Sequence, residues 1–212
     1  MILDANDTHA TARLTVHKTV PGTAEYHDIM AIRTSRSSGH HAGDSGDASA
    51  DHYLAVVDGR PLACMRVQQA RRGRLDCEEH YPAAFVASFR GLIGSASRLV
   101  RRADAKACPD VMRRFVAAVW RDQYRDGIRV DLINVHVPMV PYYETMGYEL
   151  VAGSAFVHPR LQTSSMVMAM LAEPSVRSSL RTAFEGGHDP ELMQALRANL
   201  FGNGVSAQRE SA

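Results

Sequence analysis

The chain has 212 residues, 45% of them apolar and 22% charged, an ordinary composition for one globular domain with a real core and room for appended helices. It has no apolar run near the ~20 residues that span a bilayer, no basic-then-apolar start of a secretory signal, and three cysteines without a CxxC pair, so neither a zinc site nor a disulfide framework is expected and a cytoplasmic location is the simplest expectation. The net charge of +1 is unevenly spread: residues 1–59 carry −4, 60–129 carry +8 and 130–212 carry −3, and the basic residues of the middle block are nearly all Arg. Arg forks suit phosphate, so this block is either a solvated surface or a face for an anionic partner.

In chain order, the alternation in residues 12–20 predicts a strand, ended by Pro21-Gly22. Residues 24–36 show helical spacing. Residues 37–51, rich in Gly, Ser and Asp, read as a mobile loop that includes His40 and His41. Residues 52–59 and 60–70 predict a hairpin turning at Asp58-Gly59. Residues 95–103 read as a strand. Residues 109–127 are the clearest helix, with Pro109 in its first turn, an apolar stripe through Val111, Phe115, Val116, Val119 and Trp120, and a stop at Gly127. A β-rich run at 128–137, a short helix at 138–147 and two further strands follow. The tail, from residue 173, reads as two short helices, the second starting at Asp189-Pro190-Glu191. The fold class is therefore α/β of the α+β type, a mixed and mostly antiparallel sheet with helices on both faces. Residues 1–172 are expected to form the main domain and 173–212 a helical extension.

The element order and the segment VPYYETMGYEL (140–150) resemble the Gcn5-related N-acetyltransferase (GNAT) superfamily, whose core closes on a YExxGF signature; here Tyr143-Glu-Thr-Met-Gly147-Tyr148 stands in its place. Residues 75–101 look like a passage of the acyl-homoserine lactone synthases and the N-acyl amino acid synthases, through Leu75, Glu78 or Glu79, Tyr81-Pro82 and Ser97-Arg98-Leu99-Val100. Residues 156–171 resemble a strand pair of the latter group. The resemblance spans roughly residues 12–172.

It implies a GNAT fold and an acyltransferase that forms an amide by attack of a small amine on an activated acyl group, in specialised metabolism. Tyr143 would then stand near the leaving sulfur and donate its O–H, and His136, at the end of the central strand, would take the amine's proton. Core aromatic and core histidine are the alternatives for these two. Ser97, Arg98, Leu99 and Val100 would lie along the donor arm, and Arg101, Arg102, Lys106, Arg113 and Arg114 against an anionic donor. Glu25 and Tyr26 would border the acceptor. Arg98 serves equally as an internal ion-pair partner, and His158 as a structural residue. No metal and no permanently bound cofactor is implied; the acyl donor is a co-substrate.

Two departures narrow this. The family's E-x-S-R appears as Ser95-Ala96-Ser97-Arg98, without the acid, which argues against a homoserine-lactone-type reaction. The stretch 101–110 has no glycine, so backbone approach to the diphosphate of free coenzyme A is harder, which favours an acyl carrier protein or an aminoacyl-tRNA as donor. Nothing in the sequence activates Cys64, Cys77 or Cys108 as a nucleophile, and no GxSxG elbow is present. A GNAT-like module that binds without turnover is the reading from another class.

Overall fold

The computed structural model describes residues 2–4, 13–35, 43–104, 109–173, 180–184 and 189–202. Nine strands form one sheet: β1 (Ile2–Asp4), β2 (Leu14–Thr19), β3 (Asp51–Val57), β4 (Arg60–Gln69), β5 (Ile93–Arg101), β6 (Val130–His136), β7 (Glu149–Leu150), β8 (Phe156–Val157) and β9 (Ser164–Leu171). The order is β1-β2-β3-β4-β5-β6-β9-β7, with β8 also on β9. Every pairing is antiparallel except β5 with β6.

The long helix α3 (Pro109–Arg125) lies across one face. Its stripe puts Phe115 and Val119 at 0% exposure against Val16, Tyr53 and Val67 of the sheet; full burial of such a side chain contributes about 1.5–3 kcal/mol. Its last turns also bury Asp122 and Gln123. Asp122 takes a hydrogen bond from Tyr53 Oη at 2.6 Å and an ion pair from Lys18 at 2.9 Å, and Gln123 donates to Asp51 at 2.8 Å. These bonds lock α3 to β2 and β3 without an unsatisfied buried charge. The first helix, α1 (Ala24–Thr34), is capped by the Thr23 hydroxyl, which accepts from the Tyr26 amide at 3.2 Å. It buries Ile29 and Ile32 against Leu54, Cys64 and Val100.

The opposite face holds α1, whose partners Leu54 and Cys64 alternate with Tyr53 and Met65 of the α3 face, together with α2 (Ala83–Phe89), a short helix that the sequence pattern does not predict, and α5 (Pro190–Phe201). Phe85, Val86, Met193, Leu196 and Leu200 share one apolar cluster with β6 and β9 there. Asp189 caps α5 through the amides of Glu191 and Leu192, as Asp-Pro-Glu predicts. Of the first tail helix, only a 3-10 turn at Arg181–Phe184 lies among the described residues.

One expectation is corrected. The described part of the supposed mobile loop is an ordered 3-10 turn (Ser45–Ser49) with a reciprocal capping box between Asp44 and Asp47. Its carboxylates are held by arginines distant in sequence: Arg33 reaches Asp47 at 2.9 Å, and Arg66 reaches Asp44 at 2.6 Å and Asp47 at 3.0 Å. A Gly- and Asp-rich composition reads as loop because those partners are invisible locally. His40 and His41 lie outside the described residues.

Candidate active site

The parallel pair β5–β6 stays joined for only two positions, Ile93 with Val130 and Gly94 with Asp131. Beyond them β5 follows β4 as far as Arg101, while β6 follows β9 as far as His136. The strands therefore fork. A register shift on the β4–β5 ladder leaves Arg98 and Leu99 opposite Met65 alone, with Arg98 at φ +55°. Such a bulge bends its strand and re-aims its side chains. The fork opens a cleft of about 300 Å³ whose apolar wall includes Met65, Leu99, Val116, Ile133, Met139 and Met146.

At the floor of the fork stands Asp131, only 1% exposed. Its Oδ1 accepts the Ala96 amide at 2.9 Å, replacing the β6 carbonyl that the diverging ladder no longer offers, and its Oδ2 accepts the Tyr148 hydroxyl. Burial pushes the Asp131 carboxyl up to about 7, against the pull of those two donors.

Tyr148 and Tyr143 are brought together by the end of α4 (Val140–Thr145). The Tyr148 amide donates to the Tyr143 carbonyl and the Gly147 amide to that of Glu144, with Gly147 at φ +94°. This is a Schellman ending, which also places the side chains on either side of the glycine in contact. The two rings meet edge to face, 5.5 Å between centroids. Both line the cleft, with opposite hydrogen-bond polarity. The Tyr143 hydroxyl makes no hydrogen bond among the described residues and is open to donate, and burial raises its pKa, keeping the proton on. The Tyr148 proton is committed to Asp131, so that oxygen offers lone pairs.

The other flank is charged. Asp44 is the hub, accepting from Arg66, from Arg98 and, at 3.1 Å, from Arg160. Asp76 adds a second carboxylate, 2.6 Å from Arg66. Burial opposes ionisation of Asp44, but Arg66 and Arg98 outweigh it and hold the carboxyl far below its usual range. With Asp47, three carboxylates face the four guanidinium groups of Arg33, Arg66, Arg98 and Arg160 among the described residues. At Arg98, burial and then the neighbouring Arg66 and Arg160 lower the pKa.

A cysteine–histidine pair sits beside this flank, Cys77 Sγ lying 3.7 Å from His158 Nε2. His158 Nδ1 accepts two amides, those of Arg160 at 3.2 Å and Leu161 at 3.3 Å, which assigns its proton to Nε2, facing the sulfur. An imidazole so held has no free lone pair for the thiol proton. Burial, then Asp76, push the Cys77 thiol up to about 11.

Of the residues singled out from the sequence, the structure brings Tyr143, His136, Ser97, Arg98 and Leu99 into the lining of one cleft, with His136 on its exposed rim. The Val100 side chain does not line the cleft: it is 4% exposed and packs with α1, because the strand alternation beyond the bulge turns it away. Arg101, Arg102, Arg113 and Arg114 do not line the cleft; Arg102 pairs with Asp104 and Arg113 with Asp110. Glu25 and Tyr26 do not line it either, and the Tyr26 hydroxyl donates to Asp47 at 3.0 Å instead. Lys106 and Cys108 lie outside the described residues. Sequence reasoning missed Asp131 and Asp44. An acid inside an otherwise apolar strand was the available signal for the first; the second had none.

A scan against protein-family models finds none that matches, and a search of curated proteins finds no significant match. Solved structures do match. FeeM, an N-acyl amino acid synthase from uncultured soil microbes, superposes at TM-score 0.60 with 16% identity over 76% of this chain and 91% of its own. The acyl-homoserine lactone synthase LasI superposes at TM-score 0.63 with 12% identity over 84% of this chain and 100% of its own. An acyl-CoA N-acyltransferase from Pseudomonas aeruginosa superposes at TM-score 0.54 with 14% identity over 76% of this chain and 99% of its own. The mostly antiparallel sheet flanked by helices superposes on these structures, and the chain has the GNAT fold.

Proposed function

We propose that the chain is an N-acyltransferase that joins the acyl group of a carrier-bound thioester to the amine of a small, carboxylate-bearing acceptor such as an amino acid. The observation that carries this reading is the polarity of the fork: a free phenolic donor, Tyr143, and a lone-pair oxygen, Tyr148, on one apolar cleft. The acyl chain lies along the wall of Leu99, Val116, Ile133 and the methionines, where its burial is favourable. Amides on the edge of β5 beyond Ala96 polarise the thioester carbonyl. Tyr143 protonates the departing thiolate, and His136, on the rim, guides and helps deprotonate the incoming amine. The guanidinium groups of Arg98 and Arg160, both in the cleft lining, suit the acceptor's carboxylate. Arg101, Arg102, Arg113 and Arg114, outside the cleft, face the acidic carrier, with Lys106 of the same block.

Acyl-CoA, acyl carrier protein thioester and charged tRNA are offered in parallel with pooled amino acids, and thiol release and product mass are followed. Carrier thioester is consumed first, and Tyr143→Phe slows it about 100-fold with little change in KM. Consumption of charged tRNA alone, with a steep loss in salt, would replace the thioester donor. No turnover of any donor by folded protein would leave a binding module.

A further inference from the structure

The sheet spends an unusual residue at its branch point. Asp131 is a carboxylic acid sealed among apolar strands, with no Lys or Arg ion-paired to it among the described residues. Among the described residues the titratable groups that interact with it are phenols: Tyr148, which donates to it, Tyr143 on α4, and Tyr81 ahead of α2, whose hydroxyl bonds Ser95 and the Leu132 carbonyl instead. A carboxylate needed only to patch the fork could be an asparagine, which accepts the Ala96 amide equally well and carries no charge to bury. What the acid adds is the ability to take up a proton, and its single route to the cleft is Tyr148.

We propose that Tyr148 and Asp131 form a two-step proton relay that accepts the proton of the attacking amine, with Tyr148 as the catalytic residue at the cleft and Asp131 as the buried acceptor behind it. This rests on the acyl-transfer reading above and deepens it. As the amine lone pair forms the C–N bond, its nitrogen becomes positively charged. One N–H proton passes to Tyr148 Oη while the tyrosine's own proton passes to Asp131 Oδ2, so the tyrosine stays neutral. The C–S bond then breaks, and the thiolate takes its proton from Tyr143, which regains one from solvent. Asp131 returns its proton to solvent through Tyr148 once the amide has left. The relay works only from ionised Asp131; when the acid is protonated it donates to Tyr148, whose own O–H then points into the cleft with the wrong polarity for an amine. His136, on the rim, becomes an accessory group.

The test is the pH profile of kcat/KM for wild type, Asp131→Asn, Tyr148→Phe and His136→Ala, each checked for folding by its thermal melt. Dividing wild-type by variant rates cancels the acceptor's own titration. Expected are a wild-type limb rising through the range near pH 7, a loss of about 100-fold in kcat for Asp131→Asn and Tyr148→Phe with KM for the donor little changed, the limb absent from both, and the limb kept by His136→Ala. Folded Asp131→Asn or Tyr148→Phe at wild-type kcat, or a limb that disappears with His136, would overturn the relay while leaving acyl transfer intact. A wild type that turns over no donor would remove the reaction itself and the relay with it. Should Asp131→Asn fail to fold, Tyr148→Phe decides alone, since it keeps the ring and the helix ending.

Discussion

The Tyr148 amide donates to the Tyr143 carbonyl at 3.2 Å, and the two rings stand edge to face across Gly147. One backbone motif thus sets the distance between the two phenols of the cleft. It depends on Gly147 at φ +94°, a conformation that an L side chain rarely adopts. Gly147→Ala is expected to cost about 1–2 kcal/mol in stability, read as a urea midpoint shift. Activity should fall much further than that loss of folded protein explains, because a small displacement of positioned groups costs rate steeply. A loss of activity matching only the unfolded fraction would count against the tyrosines' role.

The Arg66 side chain is fully buried and serves Asp44, Asp47 and Asp76 at once. Arg66→Met would take one cationic partner from each of those carboxylates, and a loss of about 3 kcal/mol is expected in denaturant unfolding. The depressed carboxyls of Asp44 and Asp47 also predict the acid limb. Each is ionised in the folded chain below its unfolded pKa, so its contribution is complete above about pH 4 and is lost as pH falls towards the folded value. Arg66→Met should show a shallower acid limb than wild type.

Asp131 acts in the opposite direction. Its pKa is raised on folding, so between about pH 4 and pH 7 the folded chain holds a proton that the unfolded chain has released, and stability declines as pH rises through that window. The decline from this one group is roughly 4 kcal/mol at most, at about 1.4 kcal/mol per unit. Asp131→Asn should remove it and be more stable than wild type at pH 8. Equal stability of the two proteins at pH 8 would argue that the carboxyl titrates in its usual range.

Cys77 lies against His158, a residue of the cleft lining, yet His158 faces it with a proton rather than a lone pair. Cys77→Ser should keep kcat within about threefold, and rapid-quench mass analysis should find no acyl adduct on the protein. A pre-steady-state burst with an adduct on Cys77 would establish a covalent route instead of direct attack.

Local pattern was enough for the elements whose signals are short-range. The Asp58-Gly59 hairpin, the stripe of α3 and the glycine-stopped α4 are each written within a few turns of chain, and Tyr143 and His136, which line the cleft, sit on or beside such elements. The missing acid at Ser95 was legible too, although what stands there instead, a hydroxyl bonded to Tyr81, was not.

The sequence by itself determined the strand and helix order apart from β1, α2 and the division of residues 148–159 into β7 and β8, together with the aromatic-flanked glycine and the concentration of arginine in the middle of the chain. Tertiary structure alone decided which of those arginines matter. Arg66 and Arg98 enter the cleft's charged flank because β4 and β5 lie side by side under the 45–49 turn, while Arg102 and Arg113, no different in sequence, end up on local aspartates. It also decided that Asp131 meets Ala96 and Tyr148. Coulomb and desolvation energies depend on distance through space and on burial, and neither can be read from distance along the chain.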